Sequence, residues 1–251
     1  MRYSLAIAAS LVCFASMSAN SVVADVFELR TYTVNDGKLD DLNKRFRDHT
    51  VRLFKKHGME SVGYWVPTDG PKSKNTLIYV LRHKSRDAAK KSWAAFIGDP
   101  DWKKAFKASR ENGAIVKKVE KVFMKAADYS PEYAGKDSGK DAVFELRIYK
   151  TNDGKLSGLD SRFRDNTIRI FNRFGMKSVA YWHPSDKPDS DNTLIYILRH
   201  KSRDAARKSW TGFIQDDEWK KVAKESQKDG RFLKERPTAT YMKATDYSAI
   251  K

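Results

Sequence analysis

The chain has 251 residues, with 49 Lys and Arg against 32 Asp and Glu for a formal net charge of +17, and one cysteine, Cys13. A single thiol excludes a disulfide framework and a thiolate metal centre. The lysines are interleaved with acids, as in KKVEK at 117–121 and DEWKK at 217–221; such patterns form solvated faces, which argues against specific nucleic-acid binding while leaving an anionic envelope polymer as a partner.

The chain opens on Arg2 followed by an apolar run at 5–17 (LAIAASLVCFASM) and the compact residues Val22, Val23 and Ala24. This is the layout of a cleavable signal peptide over 1–24, cut before Asp25. The run is shorter than the roughly 20 residues that span a bilayer, so the chain is not expected to be membrane-spanning after cleavage. Cleavage removes Cys13 and Arg2 and leaves 48 basic against 32 acidic residues, a charge of +16. The sequence therefore predicts a secreted or periplasmic protein held together by its core alone.

Next, VFELRTY at 26–32 recurs as VFELRIY at 143–149, an offset of 117. The same offset relates NDGKL (35–39 and 152–156), RFRD (45–48 and 162–165) and LRHKSRDAA (81–89 and 198–206). All six tryptophans pair, Trp65 with Trp182, Trp93 with Trp210 and Trp102 with Trp219. The chain is a duplication, with copies at 25–130 and 143–251 and a Pro-, Gly- and Ser-containing linker at 131–142.

Within the first copy, 26–34 alternates as a strand, with Phe27 and Leu29 on one face and Glu28, Arg30 and Tyr32 on the other. Asp36-Gly37 makes a turn, and Asp36 is placed to cap a helix with apolar positions Leu39, Leu42, Phe46, Leu53 and Phe54 that stops at Gly58. Strands follow at 59–66 and 76–83. Ser85 caps a second helix, Asp99-Pro100 restarts it, and a last strand runs over 115–126. The order βαββαβ, twice, predicts an α+β fold of two ferredoxin-like domains in tandem. Helices cover one face of each sheet. The faces carrying Glu28, Arg30, Tyr32 and Glu145, Arg147, Tyr149 are expected to close on each other as an intrachain dimeric α+β barrel, giving a pseudo-dimeric monomer or a higher homo-oligomer.

ELRTY, His57-Gly58, Gly63-Tyr64-Trp65, Arg86-Asp87-Ala88-Ala89 and Asp99-Pro100-Asp101-Trp102, in this order and spacing, resemble a NIPSNAP domain, over 26–128 and again over 143–246. The resemblance implies a dimeric α+β barrel and an interaction protein without a defining reaction. Related barrel families include cofactor-independent monooxygenases, isomerases and haem enzymes; the likeness to them is one of fold. The second copy departs from the pattern: His57, His49, Val66 and Pro100 become Phe174, Asn166, His183 and Asp217. The first copy is therefore where a site is expected first.

Arg30 and Tyr32, with Glu28, form the sharpest constellation. It is either a structural ion pair or a holder for a carboxylate or enolate inside the barrel. His49 borders the packing face of its helix, as a general base or as a satisfied core-edge residue; Asn166 in the second copy cannot exchange a proton. Trp65 and Tyr64, with Trp182 and Tyr181, either line a ligand pocket or fill the core. His83 and His200 read as surface residues. The five histidines show no HxxxH spacing, so no metal ligand is named, and no cofactor is assigned. The first expectation is a module that binds a small molecule or a protein. The alternative is a cofactor-independent monooxygenase or isomerase acting on an aromatic or polyketide-like substrate, with His49 as base and Arg30 as anion stabiliser.

Overall fold

The computed structural model describes residues 25–132 and 142–251; the expected signal peptide and linker residues 133–141 lie outside them. Eight strands form one closed antiparallel barrel: β1 (Val26–Val34), β2 (Glu60–Pro67), β3 (Thr76–His83), β4 (Val116–Ala126), β5 (Val143–Lys150), β6 (Lys177–Pro184), β7 (Thr193–His200) and β8 (Thr238–Ala244). Their order around the barrel is β1-β3-β2-β8-β5-β7-β6-β4. Each copy thus contributes a four-stranded sheet, and the copies are stitched together at β2–β8 and β4–β6 by three residue pairs each.

The helices pack outside. In the first copy they are α1 (Leu39–Arg45), a π-turn at Phe46–Thr50, α2 (Val51–Lys56), α3 (Lys72–Asn75), α4 (Arg86–Gly98) and α5 (Pro100–Ala108). The second copy repeats them as α6 (Leu156–Arg162), a π-turn at Phe163–Thr167, α7 (Ile168–Arg173), α8 (Arg203–Gln215) and α9 (Asp217–Ser226), with a 3₁₀ turn at Asp189–Asp191 in place of α3. The Ser85 hydroxyl accepts from the Ala88 N–H and the Asp99 carboxylate from the Asp101 N–H, as their positions predicted. Gly58 ends α2 at φ +74, a conformation that favours glycine. Asp36 does not cap α1: the helix starts at Leu39 after Lys38, without a side-chain cap.

The faces of β1 are reversed from the sequence expectation. Phe27 and Leu29 point into the barrel, where they pack with Trp65, Val80, Phe144, Leu146 and Trp182. Glu28, Arg30 and Tyr32 lie beneath the helices instead, and the second copy places Glu145, Arg147 and Tyr149 in the same way. The reason is the lumen itself. Both inner faces converge on one closed space, so any charge there would be buried without water, whereas α4 and α8 bring polar indole N–H groups to the outer face.

The copies also exchange their ends. Tyr247 packs on Phe46 and Tyr64 of the first copy and donates to Asn43 Oδ1 at 2.7 Å. Reciprocally, Tyr129 packs on Phe163 and Tyr181 of the second and donates to Asp160 Oδ1 at 2.7 Å. The Ser248 and Ser130 hydroxyls accept the Tyr64 and Tyr181 N–H groups, and Arg47–Asp246 and Arg164–Asp128 close the two seams. Each sheet therefore carries an apolar face that only the other copy covers. A fragment of residues 142–251 produced alone is expected to dimerise through that face; a stable monomer in light-scattering chromatography would contradict this account of closure.

Candidate functional site

Beneath the helices of each copy lies a buried carboxylate with three donors. Glu28 Oε1 accepts from Arg30 Nη1 at 2.7 Å, and Oε2 accepts from Trp93 Nε1 at 2.7 Å and faces His83 Nε2 at 3.3 Å. Glu145 repeats this with Arg147 at 2.6 Å, Trp210 at 2.7 Å and His200 at 2.9 Å. Both glutamates are fully buried. Burial pushes each carboxyl up, but the histidine hydrogen bond, the arginine charge and the indole N–H more than reverse this and hold it below the ordinary value of 4.5. His83 and His200, expected at the surface, are buried as partners of these carboxylates. Their place at the strand ends hid the partner, which sits 55 residues away.

A second pair of arginines is handled differently. Arg45 and Arg162, the last residues of α1 and α6, are 4% and 6% exposed, and among the described residues no carboxylate pairs with either. Arg162 Nη1 reaches only Ser226 Oγ at 3.4 Å, and its Nε has no hydrogen-bond partner among the described residues. Its guanidinium lies 5.2 Å from the Trp219 ring centroid and 4.8 Å from that of Phe232. The π-turn after it fixes this position: Thr167 Oγ1 donates to the Arg162 carbonyl at 3.0 Å, and Thr50 does the same for Arg45 at 3.2 Å. Burial pulls the Arg162 guanidinium down, with Tyr149 and Tyr196 offsetting only part of it. Burial opposes the charge on Arg147 as well, but Tyr196, Tyr149 and Glu145 around it outweigh that and its pKa is raised. Sequence reading found RFRD only as a repeat; the signal it passed over was Arg followed by an aromatic residue inside an otherwise apolar helix face.

Arg162 opens onto a cavity of about 200 Å³ between the helices and the sheet of the second copy. Its walls are Tyr149 on β5, Phe163, Phe171, Phe213 and Trp219, and Gln227, Arg231 and Leu233 stand around it on the segment after α9. The local cause is the partner strand. In the first copy β4 pairs with β1 along its whole length, placing Val119 beside Tyr32. In the second, β8 starts only at Thr238, after Pro237, and its pairing with β5 stops at Ile148. Tyr149 therefore keeps Leu194 of β7 on one side but has no β8 partner on the other, until the Lys234 N–H bonds the Lys150 carbonyl and Leu233 bridges Thr151.

The remaining predicted residues fall elsewhere. Trp65 and Trp182 are fully buried in the barrel lumen. Tyr64 and Tyr181 are buried under the helices, with hydroxyls bonded to Ser61 and Ser178. His49 is exposed on an outer groove that it shares with Arg45, Asp48 and Ser109, and it does not join Arg30 at the Glu28 cluster. Asn166 occupies the matching groove with Arg162 and Glu225. The His183 imidazole, in place of Val66, faces Asp160, in place of Asn43, at 3.3 Å. Among the described residues no group of His, Cys, Asp and Glu is arranged to hold a metal ion, and no helix is long and apolar enough to cross a membrane.

A family model described as NIPSNAP matches the chain twice, over residues 27–131 and 144–248. A proposed monooxygenase from Lactobacillus acidophilus aligns with 90% of this chain and 96% of its own at 12% identity and a TM-score of 0.58. An anthrone oxidase-like protein aligns with 90% of this chain and 93% of its own, at 12% identity and a TM-score of 0.52. A proposed monooxygenase from Fusobacterium nucleatum covers 88% and is covered to 93%, at 13% and 0.55. At these identities the likeness is one of fold. No curated protein matches the chain in sequence.

Glu145→Gln is expected to cost on the order of 3 kcal/mol at neutral pH, because it leaves Arg147 buried without its counter-charge. The wild-type carboxyl is depressed in the folded state, so its contribution is complete above the ordinary value of 4.5 and is lost as pH falls through the folded value. Urea unfolding from pH 7 down to 3 should therefore show a shallower acid limb for the variant. Equal limbs would show that folding does not depress the Glu145 carboxyl.

Proposed function

This chain belongs to the NIPSNAP family, and from that premise we propose that it is an exported module that binds a small, single-ring molecule in the helix–sheet cavity of its second copy. The observation that carries this is the cavity itself: about 200 Å³ walled by aromatic rings. Concave apolar sites with a few convergent polar groups are where small ligands bind, and drug-sized ligands need roughly 300 Å³ or more, so this volume selects a one-ring compound. The alternative, a cofactor-independent monooxygenase or isomerase, needs a group that accepts a proton from the substrate. The residues lining the cavity include no imidazole and no carboxylate, so they favour binding over proton transfer. Export is supported by the apolar run at 5–17 and the compact residues before Asp25.

Two measurements test these readings. Calorimetric titration with one-ring compounds, neutral and charged, is expected to give saturable one-to-one binding that Leu233→Trp abolishes by filling the cavity; no binding by any of them would sink the proposal. N-terminal sequencing of the protein from an exporting host should read from Asp25, and an intact Met1 in the cytoplasm would reverse the export reading.

A further inference from the structure

The chemistry of the ligand can be narrowed from the way this fold treats buried guanidinium groups. Arg147, on β5, and Arg162, at the end of α6, both lie between helices and sheet in the same copy, the first against Trp210 of α8 and the second against Trp219 of α9. Arg147 has a carboxylate built for it, Glu145, at 2.6 Å. Arg162 is 6% exposed and has a serine hydroxyl at 3.4 Å in place of a carboxylate. Both guanidinium groups lie against two aromatic rings and both leave Nε without a partner among the described residues, so the missing counter-charge is the difference. Arginine does not shed its proton in a protein, so the charge persists and has to be met by an anion or by water. The duplication repeats the arrangement rather than repairing it: Arg45 reaches Ser109 Oγ at 3.2 Å and lies against Trp102 and Phe106, again with an unpartnered Nε. In the second copy the guanidinium lines a partly open aromatic cavity together with a second cation, the exposed Arg231, whereas in the first copy Arg45 lines a polar groove with Asp48 and His49.

We infer that the ligand is a one-ring aromatic monocarboxylate, its carboxylate paired with Arg162 and its ring between Tyr149, Phe163 and Phe213. This rests on the small-molecule reading above. A carboxylate matches the edge of one guanidinium, and charge-assisted pairs of this type are the strong ones in an apolar surround. A dianion such as an aryl phosphate carries a second charge that the one buried guanidinium does not neutralise among phenyl walls. Arg231 supplies a positive rim that draws an anion inward and is screened by salt.

The test is calorimetric titration of the full chain with benzoate, with its neutral isostere benzamide and with phenyl phosphate. Benzoate is expected to bind at least tenfold more tightly than benzamide and than phenyl phosphate. Arg162→Met should erase the preference for benzoate while benzamide binding persists, and Arg45→Met should leave that preference intact. The unliganded Arg162→Met protein should melt no lower than wild type, because it loses a buried charge that lacks a counter-ion, and this confirms that the variant is folded. Benzamide matching benzoate, phenyl phosphate exceeding it, or a preference that survives Arg162→Met or disappears in Arg45→Met would each overturn the inference while the binding module stands. Absence of binding by all three compounds would remove both.

Discussion

Closure of the barrel is the constraint from which the rest of the structure follows. Each copy offers a sheet whose inner face is a run of Phe, Leu, Ile, Val, Met and Trp side chains, and neither copy can shield it alone. Burying one such side chain is worth roughly 1.5–3 kcal/mol, so the face taken as a whole outweighs any single polar contact in the molecule. The duplication places both halves on one chain, and the stitches at β2–β8 and β4–β6 are short because the lumen and the exchanged Tyr129 and Tyr247 ends carry the association.

An apolar lumen leaves the polar residues of β1 and β5 only the space between sheet and helices. There the fold uses two solutions. Glu28 and Glu145 each collect an arginine, a histidine and an indole N–H, so every charge meets an opposite charge or a strong donor. Losing one member of such a cluster exposes the rest to an uncompensated burial cost. Arg45 and Arg162 stand outside this scheme, held by a π-turn and by aromatic faces but given no acid among the described residues. Among the described residues these two are the buried guanidinium groups left without a counter-charge.

This division decides what the sequence revealed. The duplication, the βαββαβ order and the caps at Ser85 and Asp99 were legible because they depend on local periodicity and on fixed offsets. The orientation of β1 was not. Alternation separates Phe27 and Leu29 from Glu28, Arg30 and Tyr32, but it does not say which set meets the helices. That is decided by Trp93 and His83, which come from distant elements and supply donors on one side only. His83 and His200 were misplaced for the same reason. Arg45 and Arg162 escaped notice because a charged residue in a helix reads as solvated, and only the π-turn shows that these two point inward.

The two copies, alike in fold, have drifted apart by coupled exchanges that mark where function can differ between them. His57, which faces Asp99 at 2.7 Å, becomes Phe174, and Ala95 becomes Gly212, where a Cβ would lie 2.8 Å from the Phe174 ring. Val66 and Asn43 become the His183–Asp160 pair. Around the buried arginine, Phe106, which lies over Arg45, becomes Ala223, while Ile115 becomes Phe232, which supplies a ring over Arg162. Ala114 becomes Arg231 at the rim, and β8 begins only after Pro237, so Tyr149 has no partner on that side of β5. Each compensated swap keeps its copy packed, but those around Arg162 also exchange the ring that covers a guanidinium and add a cation beside the cavity it lines. Packing alone requires neither, and together they support the second copy, rather than the one nearer the family pattern, as the proposed binding site.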